Sequence, residues 1–158
     1  IKNSVILNYD SQLNNLSLWH QQLVAESLGK KGKGITPIVS ACPKDHHSLL
    51  QLYLDGPKDK FFTFFSSYAK KSNKIESIIN TQCEATKNIF KKKRIPYRSF
   101  IFKKNDESEL GTVFIFFILE TILLARLMNV NPYDQPAVEQ VKNETRKFLR
   151  KKFSKNYF

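Results

Sequence analysis

Apolar positions along this chain recur with two periods, and the two alternate. Short apolar runs at Ser4–Tyr9, Thr36–Ser40, Lys60–Ser66 and Ile95–Phe102 read as strands. Between them the apolar residues fall at helical spacing. Ser11–Leu28 carries Leu13, Leu16, Trp19 and Leu23 on one stripe and stops at Gly29. Asp45 reads as the N-cap of a helix through Leu54, ended by Gly56-Pro57. Lys74–Lys92 sets Ile75, Ile78, Ile79, Cys83, Thr86 and Phe90 on one side. A long apolar helix follows. The last helix runs from Pro136, a residue suited to the first helical position, to about Lys152, with Val138, Val141, Phe148 and Leu149 as its buried stripe. Strand–helix alternation with short links predicts an α/β fold: a mostly parallel, doubly wound sheet between two helical layers, a three-layer αβα sandwich with extra C-terminal helices. Such sheets take ligands at the carboxyl ends of their strands. Internal repeats and low-complexity linkers are absent.

The apolar run from Leu110 to Met128 is interrupted by Gly111, Thr112, Glu120, Thr121 and Arg126. A spanning helix needs about twenty mostly apolar residues, and Glu and Arg are costly in hydrocarbon. The expectation is a helix buried in protein on most sides, with no membrane partner. Glu120 then wants a partner, and a subunit or domain interface is the place to look for one.

Composition changes this picture little. The 158 residues are 41% apolar and 25% charged, the profile of one compact globular domain. Residue 1 is Ile, so a piece of something longer is expected. A net charge of +12 raises nucleic acid as a partner. The lysines, however, are scattered, and most Phe residues fall in apolar runs rather than among Lys on one sheet face. Lys91-Lys92-Lys93-Arg94 and Arg150-Lys151-Lys152 read as solvated helix ends whose cations suit the C-terminal dipole. No nucleic-acid partner is expected. Cys42 and Cys83 lack CxxC spacing and nearby ligand-spaced His, so they read as reduced thiols of a cytoplasmic protein, with no metal site. No signal peptide is visible.

Three stretches carry candidate proton chemistry. Gln22 and Glu26 are four apart and share a helix face near Gly29. A carboxylate there suits a base that takes a proton from one carbon and returns it to the next. It suits equally a surface Glu paired with Lys30, four residues further on. His46 and His47 both open the helix after Asp45, where an added positive charge is disfavoured and a neutral imidazole can pass a proton. Local sequence does not rank the two. Gln135 and Lys142 are seven apart, two turns along one helix face. Lys142 could hold a sugar hydroxyl or serve as an ordinary charged residue.

Taken together, Gln22-Leu23-Val24-Ala25-Glu26-Ser27-Leu28-Gly29-Lys30, His46-His47-Ser48 and Asn131-Pro132-Tyr133-Asp134-Gln135-Pro136-Ala137-Val138-Glu139, closed by Lys142, resemble the C-terminal part of the phosphoglucose isomerase family. Gln51-Leu52-Tyr53-Leu54-Asp55-Gly56-Pro57 looks like its bacterial members. The resemblance covers nearly the whole chain and implies the second sugar isomerase (SIS) domain over residues 1–158. It implies an aldose–ketose isomerase acting on glucose 6-phosphate and fructose 6-phosphate through an enediol, without a cofactor. It makes Glu26 the isomerisation base. His47, supplied to a neighbour in a homodimer, assists ring opening, with Lys142 near the ring oxygen. Gln22 and Gln135 contact the substrate. Val141 stands where many members have Gly. The Ser/Thr-rich phosphate loop of the first domain has no counterpart here, since the region of Ser66, Ser67 and Ser72 lacks threonines. The isolated segment is therefore expected to be inactive. The alternative is a non-catalytic SIS-type sugar-phosphate-binding domain, which would not need the Glu, His and Lys set.

Overall fold

The computed structural model describes residues 1–67 and 73–154; Ser72 lies outside them. Four strands, β1 (Asn3–Asn8), β2 (Thr36–Ala41), β3 (Lys60–Ser67) and β4 (Tyr97–Phe102), pair in the order β2-β1-β3-β4, and every pairing is parallel. The chain steps from β1 to β2 on one side, then returns across β1 to place β3 on the other. The expected α/β sandwich is the observed fold.

Period-two alternation builds both cores from the same strands. Val5 and Leu7 of β1, with Phe62 and Phe64 of β3, face one side. There they meet Tyr53 of α3 (Leu50–Asp55) and Cys83 and Phe90 of α4 (Lys74–Lys92). Ile6 and Phe65 face the other side, with Phe102 of β4. There they meet Leu16 of α1 (Asn14–Leu28) and Val113 and Phe117 of α5 (Glu107–Met128). Offset and edge-on ring contacts lock each core, such as Phe62 against Phe90 at 4.8 Å and Trp19 against Phe114 at 4.3 Å.

Several helix expectations need correction. The helix expected from Asp45 to Leu54 is two short ones, α2 (Lys44–Ser48) and α3, broken at Leu49, whose φ of −122° leaves the helical region. Asp45 is inside α2 and caps nothing. Its carboxylate instead accepts from the backbone N–H of Ala41 at 2.8 Å, tying α2 to the end of β2. α5 is not buried on most sides. Only Val113, Phe117, Thr121 and Ala125 are buried, one stripe at four-residue spacing against α1 and the sheet. Ile115, Leu119, Leu123 and Leu127 are exposed. By length and composition α5 could cross a membrane. Glu120 needs no interface, because both its oxygens accept from the Arg98 guanidinium of β4, which also spans the rings of Phe61, Phe100, Phe116 and Phe117 at 5.3–5.5 Å. α6 (Pro136–Ser154) starts at the expected proline, yet Val138, Val141, Phe148 and Leu149 are exposed rather than buried. In α4 the first apolar residues, Ile75 and Ile78, also project into solvent.

Candidate functional site

The end of α1 and the start of α6 meet in one cleft of about 410 Å³. Two backbone devices put them there. Gly29 ends α1, its N–H donating to the Ala25 carbonyl. The turn that follows requires Gly34 at φ +140°, where a Cβ would lie 3.1 Å from the Gly29 Cα and 3.2 Å from the Leu28 carbonyl oxygen. From the other side, Lys30 holds the α5–α6 link. Its nearly buried ammonium donates to the carbonyls of Ser27 and Asn131 and pairs with Asp134 at 3.3 Å. Lys33 donates to the Met128 carbonyl at 2.7 Å.

This arrangement carries Gln135 to Glu26. The Gln135 side-chain amide donates to one Glu26 carboxylate oxygen at 2.7 Å, and the Gln22 amide, one turn before Glu26, donates to the other at 3.0 Å. Two neutral donors thus hold the carboxylate, and among the described residues no ion pair engages it, although Lys30 and Lys31 line the same cleft. The cleft wall runs through Ala25, Glu26, Gly29, Asn131 and Pro136. The expected i,i+4 pair of Glu26 with Lys30 does not form; Lys30 goes to Asp134, a partner that sequence spacing gave no sign of.

The other two candidates lie elsewhere. Lys142 is half-exposed and pairs with Glu139 at 2.6 Å, one turn back on α6; it does not line the cleft. Gln135 immediately precedes α6 and Lys142 lies within it, and only the first turn of α6 lines the cleft. His47 is exposed on α2, and no hydrogen bond or ion pair engages it among the described residues. Topology separates His47 from Glu26. In parallel β–α units, a helix begins at the carboxyl ends of the strands and returns to their amino ends. Glu26, near the end of α1, therefore lies at the amino edge, where Gln21 of the same turn donates to the Pro37 carbonyl at the start of β2. His47 follows the carboxyl end of β2. The two stand at opposite edges of one sheet, and the carboxylate–amide cluster is not at the edge where ligands were expected.

His46, the twin of His47, turns inward. Its Nε2 lies 2.6 Å from the Tyr9 hydroxyl, and its rings meet edge-on. Burial lowers its pKa. Cys42 and Cys83 are unpaired, and burial pushes their thiols up to about 12 and about 11, which leaves them protonated and poor nucleophiles. At the carboxyl edge, Asp10, Ser67 and Asn105 hydrogen-bond among themselves and line a second cleft of about 340 Å³.

The class these features define is an open parallel α/β domain with a carboxylate held between two amides at a cleft. Comparison with known proteins narrows it. The chain is 36% identical over 156 residues to the glucose-6-phosphate isomerase of Methanocaldococcus jannaschii, covering 88% of this chain and 38% of that protein. It is 33% identical over 150 residues to a probable glucose-6-phosphate isomerase of Methanococcus maripaludis, covering 86% and 34%. Among solved structures, a hypothetical protein from Thermus thermophilus superposes with TM-score 0.81 at 26% identity, over 94% of this chain and 41% of that one. A glucose-6-phosphate isomerase from Chlamydia trachomatis gives 0.77 over 99% and 36%; at 14% identity that likeness is one of fold. No family model matches the chain. Over most of its own length, this chain is similar to glucose-6-phosphate isomerases, and it spans a little over a third of the length of these curated relatives.

Proposed function

We propose that this chain is the second SIS domain of a cytoplasmic glucose-6-phosphate isomerase and supplies its acid–base groups. The observation that carries the reading is the Glu26 carboxylate held by Gln22 and Gln135 at the rim of a cleft large enough for a sugar. Aldose–ketose isomerisation moves one proton between neighbouring carbons. A single carboxylate, fixed in plane above both carbons, takes the proton from the first, leaves an enediolate in which a proton passes from the hydroxyl oxygen to the former carbonyl oxygen, and returns its own proton to the second carbon. The amides hold the carboxylate while one lone pair faces the substrate, and they can turn to the sugar hydroxyls as it enters.

In this reading the protein works as a homodimer. His47 of one copy opens the pyranose ring over Glu26 of the other, because one copy carries the two groups at opposite edges of its sheet. Lys142 reaches the ring oxygen once α6 is seated against the missing part of the protein. The phosphate binds outside this chain, so the isolated segment is inactive: binding energy from a remote phosphate drives such reactions. No nucleic acid or membrane takes part. The pairing of Lys142 with Glu139 is the observation that favours the alternative, a sugar-phosphate-binding domain without catalysis. Proton exchange at the sugar's second carbon separates the two. The catalytic reading expects exchange in the full-length protein and its loss in Glu26→Gln; binding without exchange in the unaltered protein selects the alternative.

A further inference from the structure

α2 is a weak element by itself. It has five residues, no side-chain cap and no buried residue, and a single helical turn gains little from its own hydrogen bonds. Whatever fixes its rotation about its own axis therefore fixes the direction of every side chain on it. The contacts that can do this are few. Asp45 ties the first turn back to Ala41, and Ser48 donates to Asp45 at 3.2 Å. Leu49 and Leu50, just beyond α2, pack against the core, and the inward side-chain tie from α2 itself is His46, whose Nε2 meets the Tyr9 hydroxyl at 2.6 Å.

Tyr9 is a firm post. It is buried, stacked parallel on Phe64 at 6.0 Å, and its hydroxyl donates to Thr86 of α4 at 3.1 Å. The direction of the hydrogen bonds can be worked out by counting protons. Thr86 spends its one hydroxyl proton on the Gln82 carbonyl at 2.8 Å, so towards Tyr9 it accepts. Tyr9 spends its one proton on Thr86. With the protons so assigned, and His46 in the tautomer protonated at Nε2, the bond at His46 runs from that N–H to the Tyr9 oxygen, which the Cys42 side chain also reaches. The chain is His46 to Tyr9 to Thr86 to Gln82, and it joins α2, β1 and α4.

Successive helix residues lie about 100° apart. With His46 pinned inward to Tyr9, His47 is turned out of the fold. We propose that His46 is a positioning residue: its Nε2–H bond to Tyr9 sets the rotation of α2 and thereby aims His47 at the sugar ring. This rests on the ring-opening role given to His47 above.

The test uses the full-length protein and two substrates, glucose 6-phosphate and an analogue that cannot cyclise. His46→Leu keeps the bulk and removes the donor; His46→Gln keeps a side-chain N–H at the same reach; Tyr9→Phe removes the acceptor and leaves His46 untouched. His46→Leu and Tyr9→Phe are expected to lower kcat on the cyclic sugar by about tenfold, with KM and the open-chain rate within about twofold, and His46→Gln is expected to recover most of the loss. A His46 that only stabilised the fold would lower both substrates together and would not be rescued. If His47→Ala lowers the cyclic-sugar rate selectively while His46→Leu and Tyr9→Phe do not, the positioning role is wrong and the isomerase reading stands. If His47→Ala itself spares the cyclic sugar, the ring-opening role falls, and the positioning role with it.

Discussion

The side-chain amide of Gln135 donates to the carboxylate of Glu26 at 2.7 Å across 109 residues of chain. This one bond joins the end of α1 to the start of α6 and makes two distant sequence motifs into one site. Gln135→Leu should disturb it cleanly. Gln135 is exposed and Glu26 only half-buried, so unfolding free energy should change by about 1 kcal/mol or less. In the full-length protein, kcat should fall by about tenfold as the carboxylate loses one of its two anchors. Urea denaturation and steady-state kinetics on the same preparation measure both.

Glu26→Gln keeps the shape and removes the base. Isomerisation and proton exchange at the second carbon should drop by about a hundred- to ten-thousandfold, with sugar-phosphate binding largely kept. Near-normal exchange in the variant would return Glu26 to the surface.

The Arg98–Glu120 pair lies inside the α1–β4–α5 contact, each partner about a quarter exposed. Removing only the carboxylate leaves a guanidinium among four aromatic rings. Glu120→Ala should cost about 2–4 kcal/mol, more than the joint replacement Arg98→Met with Glu120→Leu. A double-mutant cycle by urea unfolding gives both values. Equal losses would show that packing alone accounts for the site.

His20 gives the fold a pH dependence. It is buried against Phe117 with an unpartnered Nδ1, and burial, then the nearby Arg98 charge, lowers its pKa to about 4. The folded state therefore holds a neutral ring where the unfolded chain, at about 6.5, takes up a proton. Stability from this group is complete above pH 6.5 and is lost as pH falls from there towards 4, by about 3 kcal/mol in all. His20→Leu should flatten that part of the stability curve relative to the unaltered chain. An unchanged slope would place the titration elsewhere.

Much of this was legible in the sequence, for a physical reason. A central strand such as β1 or β3 is buried on both faces, and α4 opens with an Asn73–Glu76 capping box, so local pattern and final position agree. What failed was set by distant contacts. Asp45 looks like a cap but serves Ala41 across a turn. Glu26 and Lys30 have ideal spacing, yet Lys30 finds Asp134. Glu120 looked like an interface residue because Arg98, 22 positions away on β4, leaves no trace in the helix pattern. The apolar faces of α5 and α6 read as buried because a hydrophobic stripe states that it wants cover, not whether the same chain provides it. Gln22, Glu26 and Gln135 meet through hydrogen bonds at one cleft, while Lys142 and His47 stand apart from them.

In the proposed function, Glu26 and His47, which stand on opposite edges of one sheet, reach one substrate from two copies. Mixing settles it. The full-length Glu26→Gln and His47→Ala proteins, each nearly inactive, are co-refolded in equal amounts and assayed with glucose 6-phosphate. A shared site gives mixed dimers one intact pair, and activity should recover to about a quarter of the unaltered enzyme. No recovery, with mixed dimers confirmed by mass spectrometry, would mean that Glu26 and His47 do not meet across copies.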